Sequence, residues 1–361
     1  MWTKPERCNG GWVERPTWPF SAATCRRASA QPGSEPIGAV WAHHERRASR
    51  PPQRAGGPFH PILNWLAPGK FLSFLLTFSS LVAAELPDIR TVPADLVVPA
   101  LSEGAPAAGK RVKHTLPGAA SDRVYHVFYL PTDWKPGAKL PVLVEFAGNG
   151  GYSNAFGDIS TGRPEGSNLG YGLSGGRGFI WLCVPYLNAA GNDLALTWWG
   201  DAANRDPQPT LKYCREAVQR VCREFGGDES RVVLCGFSRG AIACNFLGLH
   251  DDETAKLWRG FFAYSHYDGV RQWPYPGSDR AAALTRLQRL GNRPQFICGE
   301  GGNAAETEKY LRPLLPGATN LTFLSTGFRN HNDAWTLRPS PARDAARRWL
   351  AEVTALPPKA P

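Results

Sequence analysis

No Cys-x-x-Cys pair and no His-x-x-x-His pair occurs in the 361 residues, so the ligand spacings of structural zinc are missing. The one signal-like apolar run, Phe71 to Leu81, is too short to cross a bilayer. Around Gly148-Asn149-Gly150-Gly151 no Gly-Lys-Ser/Thr follows and dinucleotide spacing is missing, which argues against a phosphate loop there. Past the first seventy residues there is no dense basic run, which speaks against a nucleic-acid partner. A protein without metal, cofactor or polyanion signals must carry its chemistry on ordinary side chains.

The formal charge of +10 supports that reading once it is located. Residues 1–70 hold ten Lys and Arg against four Glu, so +6 of it lies in this front segment. Prolines, glycines and the pairs Arg26-Arg27 and Arg46-Arg47 interrupt the segment, and no apolar period is sustained. Residues 1–64 are therefore expected to be a disordered or over-extended start. Lys70, the short run Phe71-Leu72-Ser73-Phe74-Leu75-Leu76 onward and the small residues Val82-Ala83-Ala84 then describe a secretory signal over 65–84. This predicts export to the periplasm or exterior, cleavage near Ala84, no lasting membrane insertion and a mature domain of residues 85–361.

Eight cysteines would suit an exported protein, but their positions argue against a disulfide framework. Cys8 and Cys25 lie in the front segment, whereas Cys183, Cys235 and Cys298 fall inside apolar strand-like runs and read as buried thiols. Cys214 and Cys222 share one predicted helix with about 12 Å of rise between them, too far to bridge.

From Arg111 onward strand-like and helix-like stretches alternate. Strands are predicted at Arg111–Leu116, Val124–Leu130 (alternating, half exposed), Pro141–Phe146, Phe179–Val184, Val232–Cys235, Phe261–Tyr264, Gln295–Cys298 and Leu321–Leu324. Helices are predicted at Leu211–Phe225, from the residues after Ser238 to His250, and at Arg280–Leu290, Ala305–Leu314 and Pro341–Val353. Such alternation requires a mostly parallel sheet flanked by helices, with reacting groups at the carboxyl ends of strands.

At one such end stands Gly236-Phe237-Ser238-Arg239-Gly240, directly after Val232-Val233-Leu234-Cys235 and before Ala241-Ile242-Ala243. A serine thrust out on a sharp strand-to-helix turn needs glycines two before and two after it, because a Cβ there would collide with its surroundings. The helix start then offers N–H groups where an oxyanion would form. Ser238 is thus the candidate nucleophile. Its base is expected in the loop after the last strand, where His331 stands. For the acid, Asn303 occupies the place of a usual aspartate, so Asp268 after the preceding strand ranks first, with Glu300 and Glu306 as alternatives. The oxyanion donors expected are the backbone N–H groups of Arg239 and Asn149, with Gly150 next.

These residues together resemble the α/β-hydrolase superfamily over roughly Arg111 to the end of the chain. The elbow at Ser238, the glycine loop at Asn149 and the late His331 carry the resemblance. Within it, the exported bacterial esterases related to polyhydroxybutyrate depolymerase and feruloyl esterase are similar in their tryptophan-rich segment, here Trp198-Trp199-Gly200-Asp201. The resemblance implies an α/β-hydrolase fold with a minimal lid and a serine esterase working through an acyl-enzyme on a small or polymer-borne ester, without metal or cofactor. The same residues would serve a serine peptidase, and a non-catalytic binding protein could retain the fold.

Overall fold

The computed structural model describes residues 85–198 and 205–355. The front extension, the signal-like segment, Cys8, Cys25 and Trp199-Gly200-Asp201 lie outside the described residues. In chain order the strands are β1 (Leu101–Ser102), β2 (Arg111–His114), β3 (His126–Tyr129), β4 (Leu140–Phe146), β5 (Tyr152–Ser153), β6 (Ile159–Ser160), β7 (Ile180–Val184), β8 (Tyr186–Leu187), β9 (Leu194–Ala195), β10 (Gly227–Phe237), β11 (Gly260–Tyr264), β12 (Gln295–Gly299) and β13 (Leu321–Ser325). The helices are α1 (Leu169–Ser174), α2 (Gln208–Phe225), α3 (Arg239–Phe246), α4 (Asp252–Ala255), α5 (Arg280–Leu287), α6 (Asn303–Leu311) and α7 (Pro341–Ala355).

Nine strands form one sheet in the order β1-β2-β3-β7-β4-β10-β11-β12-β13. Only β3 runs against its neighbours β2 and β7; the other pairs are parallel. The parallel strands read as unbroken apolar runs because helices cover both faces. Val142, Val144, Phe146 and Leu234 join α2 and α3 in one core, while Leu143, Val233, Cys235, Phe237 and Phe262 join α1 and α7 in the other. Each such side chain contributes roughly 1.5–3 kcal/mol of burial. This order, with helices on both faces and no further domain inserted among the described residues, is the α/β-hydrolase fold.

Several local expectations shift. Strand β3 is not half exposed: Val127 and Tyr129 face one core and Phe128 the other, because β2 and β7 enclose it in the sheet. Helix α3 stops at Phe246, short of His250, and α6 ends at Leu311 because Pro313 cannot continue it. Helix α2 begins three residues before Leu211 and ends where Gly226 adopts φ 77° and its N–H caps the Val221 carbonyl. All six described cysteines are free and buried.

Register sets the site. Phe146 pairs with Gly236, Phe237 with Tyr264 and Tyr264 with Cys298, so β4, β10, β11 and β12 finish at one level. The loops leaving these strands, which begin with Ala147, Ser238, Ser265 and Glu300, consequently emerge side by side.

Candidate active site

Ser238 has φ 55° and ψ −115°, a conformation that costs a non-glycine residue on the order of 1–3 kcal/mol. Its surroundings impose it. A Cβ on Gly236 would lie 2.1 Å from the Gly240 carbonyl oxygen, and one on Gly240 would lie 2.1 Å from that of Phe146. Both glycines therefore let the turn close onto itself and onto the end of β4. The Ser238 N–H is fixed by the Tyr264 carbonyl at 2.9 Å, and α3 starts at the next residue.

The hydroxyl of Ser238 lies 2.8 Å from His331 Nε2. On the far side of the ring, His331 Nδ1 lies 2.7 Å from Glu300 Oε1. A carboxylate there holds the ring proton on Nδ1 and leaves the Nε2 lone pair to receive the serine proton. Burial raises the pKa of Glu300, but its hydrogen bond and electrostatic attraction to His331 and further hydrogen bonds outweigh this, leaving the carboxyl below its ordinary value. The nearby His266 is pushed down to about 4 by burial and by His331, so it is neutral at pH 7.

The acid ranked first is not at this position. Asp268 is buried against Arg286 of α5 in a two-pronged ion pair, Oδ2 to Nε at 2.8 Å and Oδ1 to Nη2 at 3.0 Å. Glu306 pairs with Arg271 at the surface. The reason is reach: β12 ends at Gly299, so Glu300 is the first residue beyond the strand and its longer side chain covers the gap. Asn303, where an aspartate was expected, donates its amide to Glu300 Oε1 at 2.8 Å.

The glycine loop reaches the same place. The Ala147 carbonyl is held by the Tyr186 hydroxyl at 2.5 Å, and a Cβ on Gly148 would strike Ser160 and Phe237. Asn149 N–H has no acceptor among the described residues. The reserve donor, Gly150, does not suit the role, since its N–H is given to the Leu196 carbonyl at 3.0 Å.

Two further groups escaped sequence reasoning. Asp158, 1% exposed, accepts the His331 N–H at 3.1 Å and the amide of Asn330 at 3.0 Å, clamping the histidine loop from the β5–β6 hairpin. Tyr152 of the same hairpin meets the His331 ring edge-on at 4.9 Å. Neither residue belongs to a periodic pattern, so no sequence signal marked them. The loop is also tied to the start of the described chain, where Ile89 N–H donates to Asn330 Oδ1 and Arg329 N–H to the Pro87 carbonyl. Beneath the site, Glu145 is pushed up to about 7 by burial and by neighbouring Asp333, and it accepts N–H bonds from Leu169, Gly170 and Trp181. The spacing Gly170-Tyr171-Gly172-Leu173-Ser174-Gly175, which imitates a dinucleotide loop, lies in α1 and its C-cap Gly175, where Gly170 abuts Trp181 and Gly172 abuts Thr336.

No protein-family model and no curated protein matches the chain. Solved structures do. A thermostable esterase is 14% identical over 63% of this chain and 58% of its own, with a TM-score of 0.38. The esterase Est22 is 17% identical over 64% and 76%, with a TM-score of 0.40. A chain from a study of two prolyl endopeptidases is 13% identical over 68% and 38%, also at 0.40. The chain thus spans less than two thirds of the thermostable esterase and of the endopeptidase.

Proposed function

We propose that the protein is a serine hydrolase that cleaves carboxylic esters through an acyl-enzyme. The observation that carries this is the continuous line from Ser238 Oγ through His331 to Glu300, with contacts of 2.8 and 2.7 Å. In this reading Ser238 attacks the ester carbonyl as His331 Nε2 takes its proton. The oxyanion rests on the backbone N–H groups of Arg239 and Asn149, and His331 returns the proton to the leaving alcohol. Water then enters by the same route and releases the acid. A carboxylate at His331 Nδ1 favours this over a non-catalytic scaffold, which has no need to keep one there.

A fluorophosphonate probe tests the reading. It is expected to label Ser238 stoichiometrically, and paired nitrophenyl-ester and peptide-anilide substrates should show turnover of the ester. Turnover of the anilide alone would assign the same residues to a peptidase, and absence of any label would sink both. A panel of short-chain, feruloyl and acetyl-sugar esters then decides the subfamily. The resemblance to exported esterases of the polyhydroxybutyrate depolymerase and feruloyl esterase kind is supported by buried Trp198, which packs on Phe246 and Tyr275 behind the elbow helix.

Export is part of the same proposal, on the strength of the signal-like residues 65–84. A chain beginning at Glu85 keeps the Pro87 and Ile89 contacts to the histidine loop and is expected to be soluble and fully active. One beginning at Leu96 loses those contacts and should lose activity. A large fall in melting temperature for the Glu85 chain would show that the front segment packs on the domain.

A further inference from the structure

Among the described residues only two non-glycine positions adopt positive φ: Ser238 at 55° and Ser265 at 86°. They stand at the carboxyl ends of adjacent strands, β10 and β11, whose register brings them level. The first is explained by the elbow. The second has no glycine turn around it and no part in the proposed chemistry, yet a strained backbone persists only where its surroundings over-determine it. The N–H of Ser265 is held by the Cys298 carbonyl at 2.8 Å, and the residue is 4% exposed.

The hydroxyl explains the strain. Ser265 Oγ lies 2.9 Å from Glu300 Oε1 and 2.9 Å from His331 Nδ1, with Asn303 Nδ2 at 3.4 Å. Its single proton goes to the carboxylate, and its lone pairs face the ring N–H and the Asn303 amide. Three donors, from Ser265, His331 and Asn303, therefore converge on Oε1. Glu300 Oε2, buried beside it, has no hydrogen-bond partner among the described residues. Such an uneven arrangement selects one carboxylate oxygen and fixes its direction toward the imidazole. Without the hydroxyl, Oε1 loses one of the side-chain donors that oppose rotation of the carboxylate when His331 is pulled toward Ser238, and the Asn303 amide is left to hold it from that side.

We propose that Ser265 is a positioning residue of this site: its hydroxyl bridges Glu300 and His331 and keeps the imidazole aligned with Ser238 through the proton transfers. The inference rests on the serine hydrolase reading. It also makes the strain functional, since φ 86° is what turns the Ser265 hydroxyl inward between the two side chains.

Ser265→Ala and Ser265→Gly test it together. Both delete the hydroxyl, but glycine accepts φ 86° without strain, so Ser265→Gly should melt at or above the wild-type temperature and Ser265→Ala near or below it. Both variants are expected to label with the fluorophosphonate probe on the order of tenfold to a hundredfold more slowly, and to lose kcat by the same factor with KM unchanged. Wild-type labelling and kcat in Ser265→Gly would overturn the inference alone, as would activity that follows melting temperature across the two variants. A wild-type protein that fails to label would overturn the hydrolase reading and this inference with it.

Discussion

Ser238→Ala is expected to lower ester turnover by at least about four powers of ten while leaving the melting temperature unchanged. The two halves of this expectation have separate causes. The hydroxyl makes the new bond to the acyl carbon, and no neighbouring group can replace it: His331 Nε2, its only hydrogen-bond partner among the described residues, would have to direct a water instead. Stability is untouched because alanine keeps the Cβ and so keeps the strained turn, which is imposed by Gly236, Gly240 and the Tyr264 carbonyl and not by the hydroxyl. The residual rate should be that of the oxyanion donors and substrate binding alone. Steady-state turnover of a nitrophenyl ester, with melting followed in parallel, is the measurement. A variant that kept more than about one hundredth of wild-type turnover would remove Ser238 as nucleophile, since loss of that group cannot be so mild.

The elbow was legible because its constraint is local: a strand, a turn that excludes two Cβ atoms and a helix must follow one another within a dozen residues. His331 was legible for a different reason, the order in which a parallel sheet presents its strand ends. The acid was not, because its identity turns on side-chain reach at the end of β12. Glu300, one residue past the strand, spans a distance that Asp268 would have to cover from a loop folded back onto Arg286. Ser265 and Asp158 were invisible in the sequence, since their partners Glu300, His331 and Asn330 stand between 35 and 173 positions away. The hairpins β5–β6 and β8–β9 escaped as well. Two-residue strands are too short to show an alternation, yet the first of them delivers Tyr152 and brings Asp158 against the histidine loop.

Glu300→Gln and Asp268→Asn should separate catalysis from stability in opposite directions. In Glu300→Gln the amide oxygen can take the place of Oε1 and keep its three donors, while the amide nitrogen occupies the buried position of Oε2, which among the described residues has no partner to lose. The fold should therefore hold. What disappears is the negative charge that stabilises the imidazolium as Ser238 attacks, and the expected cost is about two to four powers of ten in kcat with KM little changed. Asp268→Asn removes the charge opposite Arg286, whose guanidinium is buried at 2.8 Å from it and has, among the described residues, only the Gly277 carbonyl as a second acceptor. An uncompensated buried cation costs roughly 3–5 kcal/mol, so this variant should melt well below wild type. Its folded fraction should nonetheless turn over ester at close to the wild-type rate, because no atom of Asp268 touches His331. Melting curves and kcat measured at a temperature where both variants are folded decide the matter. Wild-type kcat in Glu300→Gln, together with a collapse of kcat in a fully folded Asp268→Asn, would return the role of orienting acid to Asp268.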